Sequence, residues 1–244
     1  MLNLLFAPRC AACNADGGPM CGACAGRVGV LIPPWCARCG RPTETAVATC
    51  PDCPPRAVAA ARSPFLYDGP IADAIRALKF RGWGWLARSL AAAMAEVGSG
   101  PADIVTWVPL SRRRRARRGF DQAELLARET ARRLGLPCRR LLRRTRDTPA
   151  QTGQGGRERR ASPRDAFRAV RPSPSSVLLV DDVMTTGATA AACADVLRRA
   201  GARTVRVLTA ARSLGRGVPA RCFREYNRAG FLPGSVVARE VASR

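Results

Sequence analysis

Val177-Leu178-Leu179-Val180-Asp181-Asp182-Val183-Met184-Thr185-Thr186-Gly187-Ala188-Thr189 decides the fold. Four apolar residues suited to a buried strand stop at two adjacent carboxylates, and a small, hydroxyl-rich turn then opens an alanine-rich helix. At the carboxyl end of a parallel strand, the N–H groups of Thr185, Thr186, Gly187 and Thr189 and the threonine hydroxyls can converge on a phosphate. The positive end of the following helix dipole adds to that attraction. Gly187 carries no Cβ to obstruct a close backbone approach. Asp181 and Asp182 are acceptor-only groups suited to the vicinal hydroxyls of a ribose. The stretch reads a sugar carrying a 5-phosphate. The carboxylates alone would also suit a helix N-cap region, a position that aspartate favours.

The stretch resembles the PRPP-binding signature of type I phosphoribosyltransferases, from the apolar strand through Asp-Asp to Thr-Thr-Gly-Ala-Thr. The resemblance implies an α/β fold with a Rossmann-like, mostly parallel sheet. It places Asp181 and Asp182 on the ribose 2- and 3-hydroxyls of PRPP and Thr185, Thr186, Gly187, Ala188 and Thr189 on its 5-phosphate. It implies PRPP binding more directly than turnover, because some members of the superfamily bind nucleotides or PRPP only to regulate. In an enzyme, an acceptor nucleophile would displace pyrophosphate, whose charge Mg2+ would neutralise. The chain has no histidine. Proton transfer would therefore fall to carboxylates, Asp181 and Asp182 among them, to substrate groups or to pyrophosphate itself.

The 244 residues can hold one full α/β domain and a small appendage. The longest apolar stretches are too short to cross a bilayer. The opening Met1-Leu2-Asn3-Leu4-Leu5-Phe6 lacks a basic flank and runs into Pro8 and Cys10, so a signal peptide is not expected and a cytoplasmic protein is. Charge is distinctive: 41 basic residues, of which only Lys79 is lysine, stand against 18 acids for a net +23. Residues 1–60 carry five arginines and three acids, which leaves +21 on residues 61–244, where a polyanion is expected.

Eight of the eleven cysteines form four Cys-x2-Cys knuckles: Cys10/Cys13, Cys21/Cys24, Cys36/Cys39 and Cys50/Cys53. Two knuckles complete a four-thiolate tetrahedral shell, so two structural Zn2+ ions are expected. Disulfides and an iron–sulfur cluster are the competing readings, the first disfavoured in a cytoplasmic chain. Neighbouring knuckles can pair in sequence as tandem ribbons, or the first with the third and the second with the fourth; tandem ribbons are preferred. With few large apolar residues and much Gly and Pro, this segment must draw most of its folding free energy from metal. If it is independent of the rest, Cys36→Ser unfolds it and leaves PRPP binding largely intact. Cys138, Cys193 and Cys222 read as buried small hydrophobes.

The expected division is a double zinc ribbon over 1–56, a phosphoribosyltransferase-like domain over 63–211 and an extension of uncertain order over 212–244. Within the second part, Arg56 to Arg62 reads as a linker, Ser63 to Gly69 as a brief strand and turn, and Ile71, Ile75 and Leu78 as one helical face. A second helix is expected from about Trp85 to Val97, and a buried strand from Asp103 to Val108. Then come Arg112, Arg113, Arg114, Arg115, Arg117 and Arg118, six arginines in seven positions. A charge run is usually a solvated loop. Here the loop leaves the carboxyl end of a parallel strand, where open α/β sheets form their ligand crevice, so these guanidinium groups are expected to contact pyrophosphate or nucleic acid. A helix follows with Phe120, Ala123, Leu126, Ala127 and Leu134 toward the core. Thr145 to Arg171 reads as a flexible flap, whose Arg157, Arg159 and Arg160 can add to the basic surface.

In order, these pieces resemble the ComF family, competence protein F and its relatives, to about residue 211. The elements that carry the resemblance are the Leu-Leu-Phe lead into Cys10, the four knuckles, Tyr67-Asp68-Gly69, Leu78-Lys79-Phe80-Arg81-Gly82 and Val108-Pro109-Leu110. Arg118-Gly119-Phe120-Asp121-Gln122, Arg144-Thr145 with Gln151, Arg160, Ala166-Phe167 and the PRPP signature complete it. The resemblance implies a double zinc ribbon on a type I phosphoribosyltransferase domain and a link to natural transformation, with single-stranded DNA and a DNA-uptake helicase or recombination proteins as partners. A non-catalytic PRPP- or nucleotide-sensing module and a nucleotide-salvage phosphoribosyltransferase are the alternatives. Asp121 and Ser162 stand where the family usually has Asn, and the tail exceeds the usual length.

Overall fold

The computed structural model describes residues 9–16, 18–55, 57–98, 100–145, 166–214 and 223–225. The signature strand forms the middle of the architecture. Leu178 and Val180 pack into one apolar cluster, Val177 and Leu179 into another, so the strand is covered on both faces. Such coverage requires helices on each side of a parallel sheet. On the first face lie α2 (Gly69–Phe80), α3 (Leu86–Val97) and α5 (Gln122–Leu134), which bury Ile71, Ile75, Leu78, Leu90 and Leu126. On the second lies α6 (Ala188–Arg199), whose alanine face meets Val205 and Val207.

The signature strand is β7 (Ser176–Met184), flanked by β4 (Ile104–Trp107) and β8 (Thr204–Arg212), all parallel. Outside β8 run β2 (Ala60–Arg62) and β3 (Phe65–Leu66), two parallel pieces separated by Ser63-Pro64. The next strands are antiparallel: β1 (Gly29–Leu31), from the cysteine-rich segment, pairs with β3, and β9 (Phe223–Glu225) pairs with β1. The seven-stranded sheet thus runs β4-β7-β8-β3-β1-β9, with β2 also on β8. The cysteine-rich segment also contains the short α1 (Gly22–Ala25), and its Cys24, Ala25, Val28 and Val30 join the cluster of α2, α3 and α5.

Several local expectations change. The apolar strand does not stop at the carboxylates: pairing with β8 continues from Asp181↔Thr209 to Met184↔Arg212, which holds the backbone extended for four more residues. The stretch read as a linker contains β2, because its backbone finds parallel partners in Arg206 to Leu208. The arginine run is a helix, α4 (Arg112–Arg118), instead of a loop. Ser111 Oγ accepts from Arg114 N at 3.3 Å, Gly119 ends the helix at φ 78°, and arginine is itself a good helix former. Most of the expected flap, 146–165, lies outside the described residues; β6 (Phe167–Ala169), within its far end, pairs antiparallel with β5 (Leu142–Arg144), which precedes the flap. Residues 215–222, Cys222 among them, and the tail beyond β9 also lie outside them. No helix among the described residues is long and apolar enough to cross a membrane.

Candidate functional site

The knuckles pair in sequence. The sulfurs of Cys10, Cys13, Cys21 and Cys24 form one group and those of Cys36, Cys39, Cys50 and Cys53 another, each within 4.8 Å. Separations of 3.6 Å for Cys13–Cys21, 3.5 Å for Cys36–Cys53 and 3.4 Å for Cys39–Cys50 approach the ~3.8 Å edge of a tetrahedron with Zn–S bonds of about 2.3 Å. All eight are free thiols, so the donor set fits zinc. Burial pushes Cys24 and Cys39 up to about 12, with the neighbouring cysteines adding to the rise. Burial also acts to raise Cys10 and Cys36, but backbone N–H donors outweigh it and bring them down to about 6 and about 7. A dication would stabilise the remaining thiolates.

Asp181 and Asp182 sit within β7, just before the turn. Asp182 is buried and both of its oxygens are engaged: Lys79 Nζ lies 2.7 Å from Oδ1, and Gln122 Nε2 donates to Oδ2 at 2.9 Å. Arg118 Nη1 donates to Gln122 Oε1 at 2.8 Å, which links the arginine helix to the carboxylate pair. The Asp182 amide donates to Asp181 Oδ1 at 2.9 Å. Burial, then repulsion from Asp182, pushes the Asp181 carboxyl well above its usual range. Asp121 is, like Asp182, a buried carboxylate. Its Oδ1 caps α5 by accepting from Ala123 N and Glu124 N, and its Oδ2 accepts from Leu110 N, so it fixes the turn after β4. Lys79 and Gln122 were not singled out as site residues from sequence. The available signal was that Lys79 is the only lysine among 41 basic residues.

Thr185, Thr186, Ala188 and Thr189 are exposed at the start of α6, and Thr186 Oγ1 accepts from Ala188 N at 3.3 Å. Gly187 is buried at φ 77°. A Cβ there would come 2.8 Å from Met184 Cε and 3.0 Å from Pro54 Cβ, so glycine is required by the backbone and by packing as well as by any ligand. Pro54 directly follows Cys53 and brings the second cysteine group to the turn.

The arginine helix divides its side chains. Arg118 turns inward to Gln122. Arg112 and Arg115 line a cavity of about 500 Å3 with Arg140, Arg143, Arg144 and Asp121. Arg113 and Arg117 are exposed. None of residues 181–189 lines that cavity. The arginine-rich cavity thus includes Asp121, the cap of α5, while the next residue, Gln122, reaches Asp182 on one side and Arg118 on the other.

Comparison with known proteins matches a double zinc ribbon domain over residues 1–54 and a phosphoribosyl transferase domain over residues 121–224. The chain is 34% identical over 197 residues to DNA utilization protein YhgH of Escherichia coli O6:H1, which covers 73% of this chain and 84% of that protein. It is 28% identical over 233 residues to Competence protein F of Haemophilus influenzae, which covers 87% of this chain and 100% of that protein. A solved structure of glutamine PRPP amidotransferase from B. subtilis overlaps 50% of this chain and 25% of that one, at 26% identity and a TM-score of 0.35.

Proposed function

The chain belongs to the ComF family, and from that premise we propose that it binds PRPP with Mg2+ in the cradle of Asp181, Asp182 and residues 185–189. It is a phosphoribosyltransferase-domain protein with an N-terminal double zinc ribbon, related to proteins named for DNA utilization and competence. In this reading Asp181 and Asp182 take the ribose hydroxyls and provide oxygen donors suited to Mg2+, and Thr185 to Thr189 take the 5-phosphate. Arg112 to Arg118 serve the pyrophosphate or a nucleic-acid backbone. The observation that carries it is the juxtaposition of the carboxylate pair with an exposed, threonine-rich helix start at the carboxyl end of a buried strand. Lys79 holds Asp182 in place and keeps its charge compensated before ligand arrives.

The basic surface supports contact with single-stranded DNA in a DNA-uptake role, in the cytoplasm and beside a helicase or recombination proteins. A division at 1–56, 63–211 and 212–244 remains part of the proposal, with the zinc sites structural. Calorimetry with PRPP and Mg2+ tests the cradle: Asp181→Asn with Asp182→Asn must lose affinity, and unchanged affinity rejects the site.

A non-catalytic sensor is the second reading. It is favoured by the engagement of both Asp182 oxygens by Lys79 and Gln122. Release of pyrophosphate with candidate bases or DNA separates a transferase from a sensor.

A further inference from the structure

We propose that Phe80, Trp83 and Trp85 form a stacking platform for unpaired bases of a single nucleic-acid strand. The inference rests on the assignment of the arginine surface to DNA and adds to it a site for the bases.

The three rings lie at the end of α2 and in the connection to α3. Phe80 is 63% exposed and Trp85 is 41% exposed. Trp83 packs against the core cluster and stacks on Trp85 with ring centroids 5.5 Å apart and planes 26° from parallel. Trp83 thus props Trp85 on the folded core. Arginine accompanies the rings: Arg118 Cζ lies 4.7 Å from the Phe80 centroid and Arg81 Cζ lies 5.6 Å from that of Trp83. Among the described residues Val170 is the one other large hydrophobic left so exposed, so large rings in water beside cations need a reason.

Charge selects the occupant. Lys79 is taken up by Asp182 and Arg88 lies 3.9 Å from Glu129, but Arg81 stays beside the rings and α4 with its six arginines reaches the platform through Arg118. Exposed aromatic faces interleaved with guanidinium groups match a strand whose phosphates need cations and whose bases need flat apolar partners. A duplex hides its base faces within its own stack, so the strand must be single. The platform also adjoins the carboxylate pair, because Lys79 precedes Phe80 and contacts Asp182. A strand held there passes beside the proposed PRPP cradle.

The test uses the full-length, zinc-loaded protein and two oligonucleotides of about 16 nucleotides, one of thymidine and one abasic. Thymidine oligonucleotide should quench tryptophan fluorescence and bind on the order of ten-fold more tightly than the abasic strand. Phe80→Ala with Trp85→Ala should abolish most of that preference while leaving abasic binding unchanged, and Trp85→Phe should retain it. The exposed positions make loss of folding an unsuitable explanation, which an unchanged melting curve checks. Equal wild-type affinity for the two strands overturns the platform and leaves the arginine-surface reading standing; failure of both strands to bind overturns both.

Discussion

Arg212 Nη1 donates to the main-chain carbonyl of Cys39 at 2.6 Å, across 173 residues of sequence. Arg212 ends β8, is only 2% exposed, and pairs across the sheet with Met184, the residue before the threonine turn. Its Nη2 lies 3.7 Å from Cys39 Sγ. No carboxylate accompanies this buried cation among its hydrogen-bond partners here, but Zn2+ with four thiolates carries about two net negative charges. With zinc bound, the second cysteine group would supply the countercharge for a residue at the carboxyl end of β8 beside the threonine turn, and Pro54 packs against Gly187.

Removing metal should accordingly loosen the cradle. Chelation is expected to speed amide hydrogen exchange across residues 184–190, and Arg212→Met should do so with zinc retained, at a stability cost of about 2 kcal/mol for a lost charged hydrogen bond. Exchange confined to residues 10–53 after chelation would contradict this coupling. Cys36→Ser should likewise lower PRPP affinity, whereas an independent module would leave it intact.

Zinc binding should release protons. Burial pushes the Cys24 and Cys39 thiols up to about 12, so both must give up protons to become ligands. Affinity should rise with pH, and calorimetric enthalpies should depend on the buffer's ionisation heat. Elemental analysis should find two zinc ions per chain; one ion, or buffer-independent enthalpy, would count against two closed thiolate sites.

Lys79 and Asp182 form a nearly buried pair at 2.7 Å, so removing one member leaves the other's charge uncompensated. Lys79→Met is expected to cost about 3 kcal/mol in denaturant unfolding. Adding Asp182→Asn should recover much of that loss. A double variant no more stable than the single one would show that the pair does not couple.

The legible parts of the fold were those encoded by local pattern. Val177 to Val180 identified a buried strand and the cysteine spacing allowed the pairing that is observed, whereas the capping signals of Ser111 and Gly119 for α4 were hidden by the charge run, which reads as a loop. Arg212 and Pro54 were not legible, since one arginine among many and a proline after a knuckle acquire meaning only when β8 meets the ribbon. The same holds for Gln122, which faces Asp182 only because α5 packs on β7. Charge density drew attention to the whole arginine run, but the structure gives different surroundings to Arg118, Arg112 and Arg113.

That division makes the arginine run testable residue by residue. Replacing Arg113, Arg114, Arg115 and Arg117 by Ser removes exposed or half-exposed guanidinium groups and spares Arg118, whose bond to Gln122 supports the carboxylate pair. Each phosphate neutralised on a single strand contributes about −0.7 to the slope of log K against log salt. The quadruple variant should therefore bind single-stranded DNA more weakly and with a flatter slope, and equally so for all sequences, because phosphate contacts carry little base information. PRPP competition then locates the strand. Competition places DNA in the crevice shared with the cradle, and its absence places DNA along the outer face of α4. An unaltered affinity and slope in the quadruple variant would assign these four arginines to solvent alone.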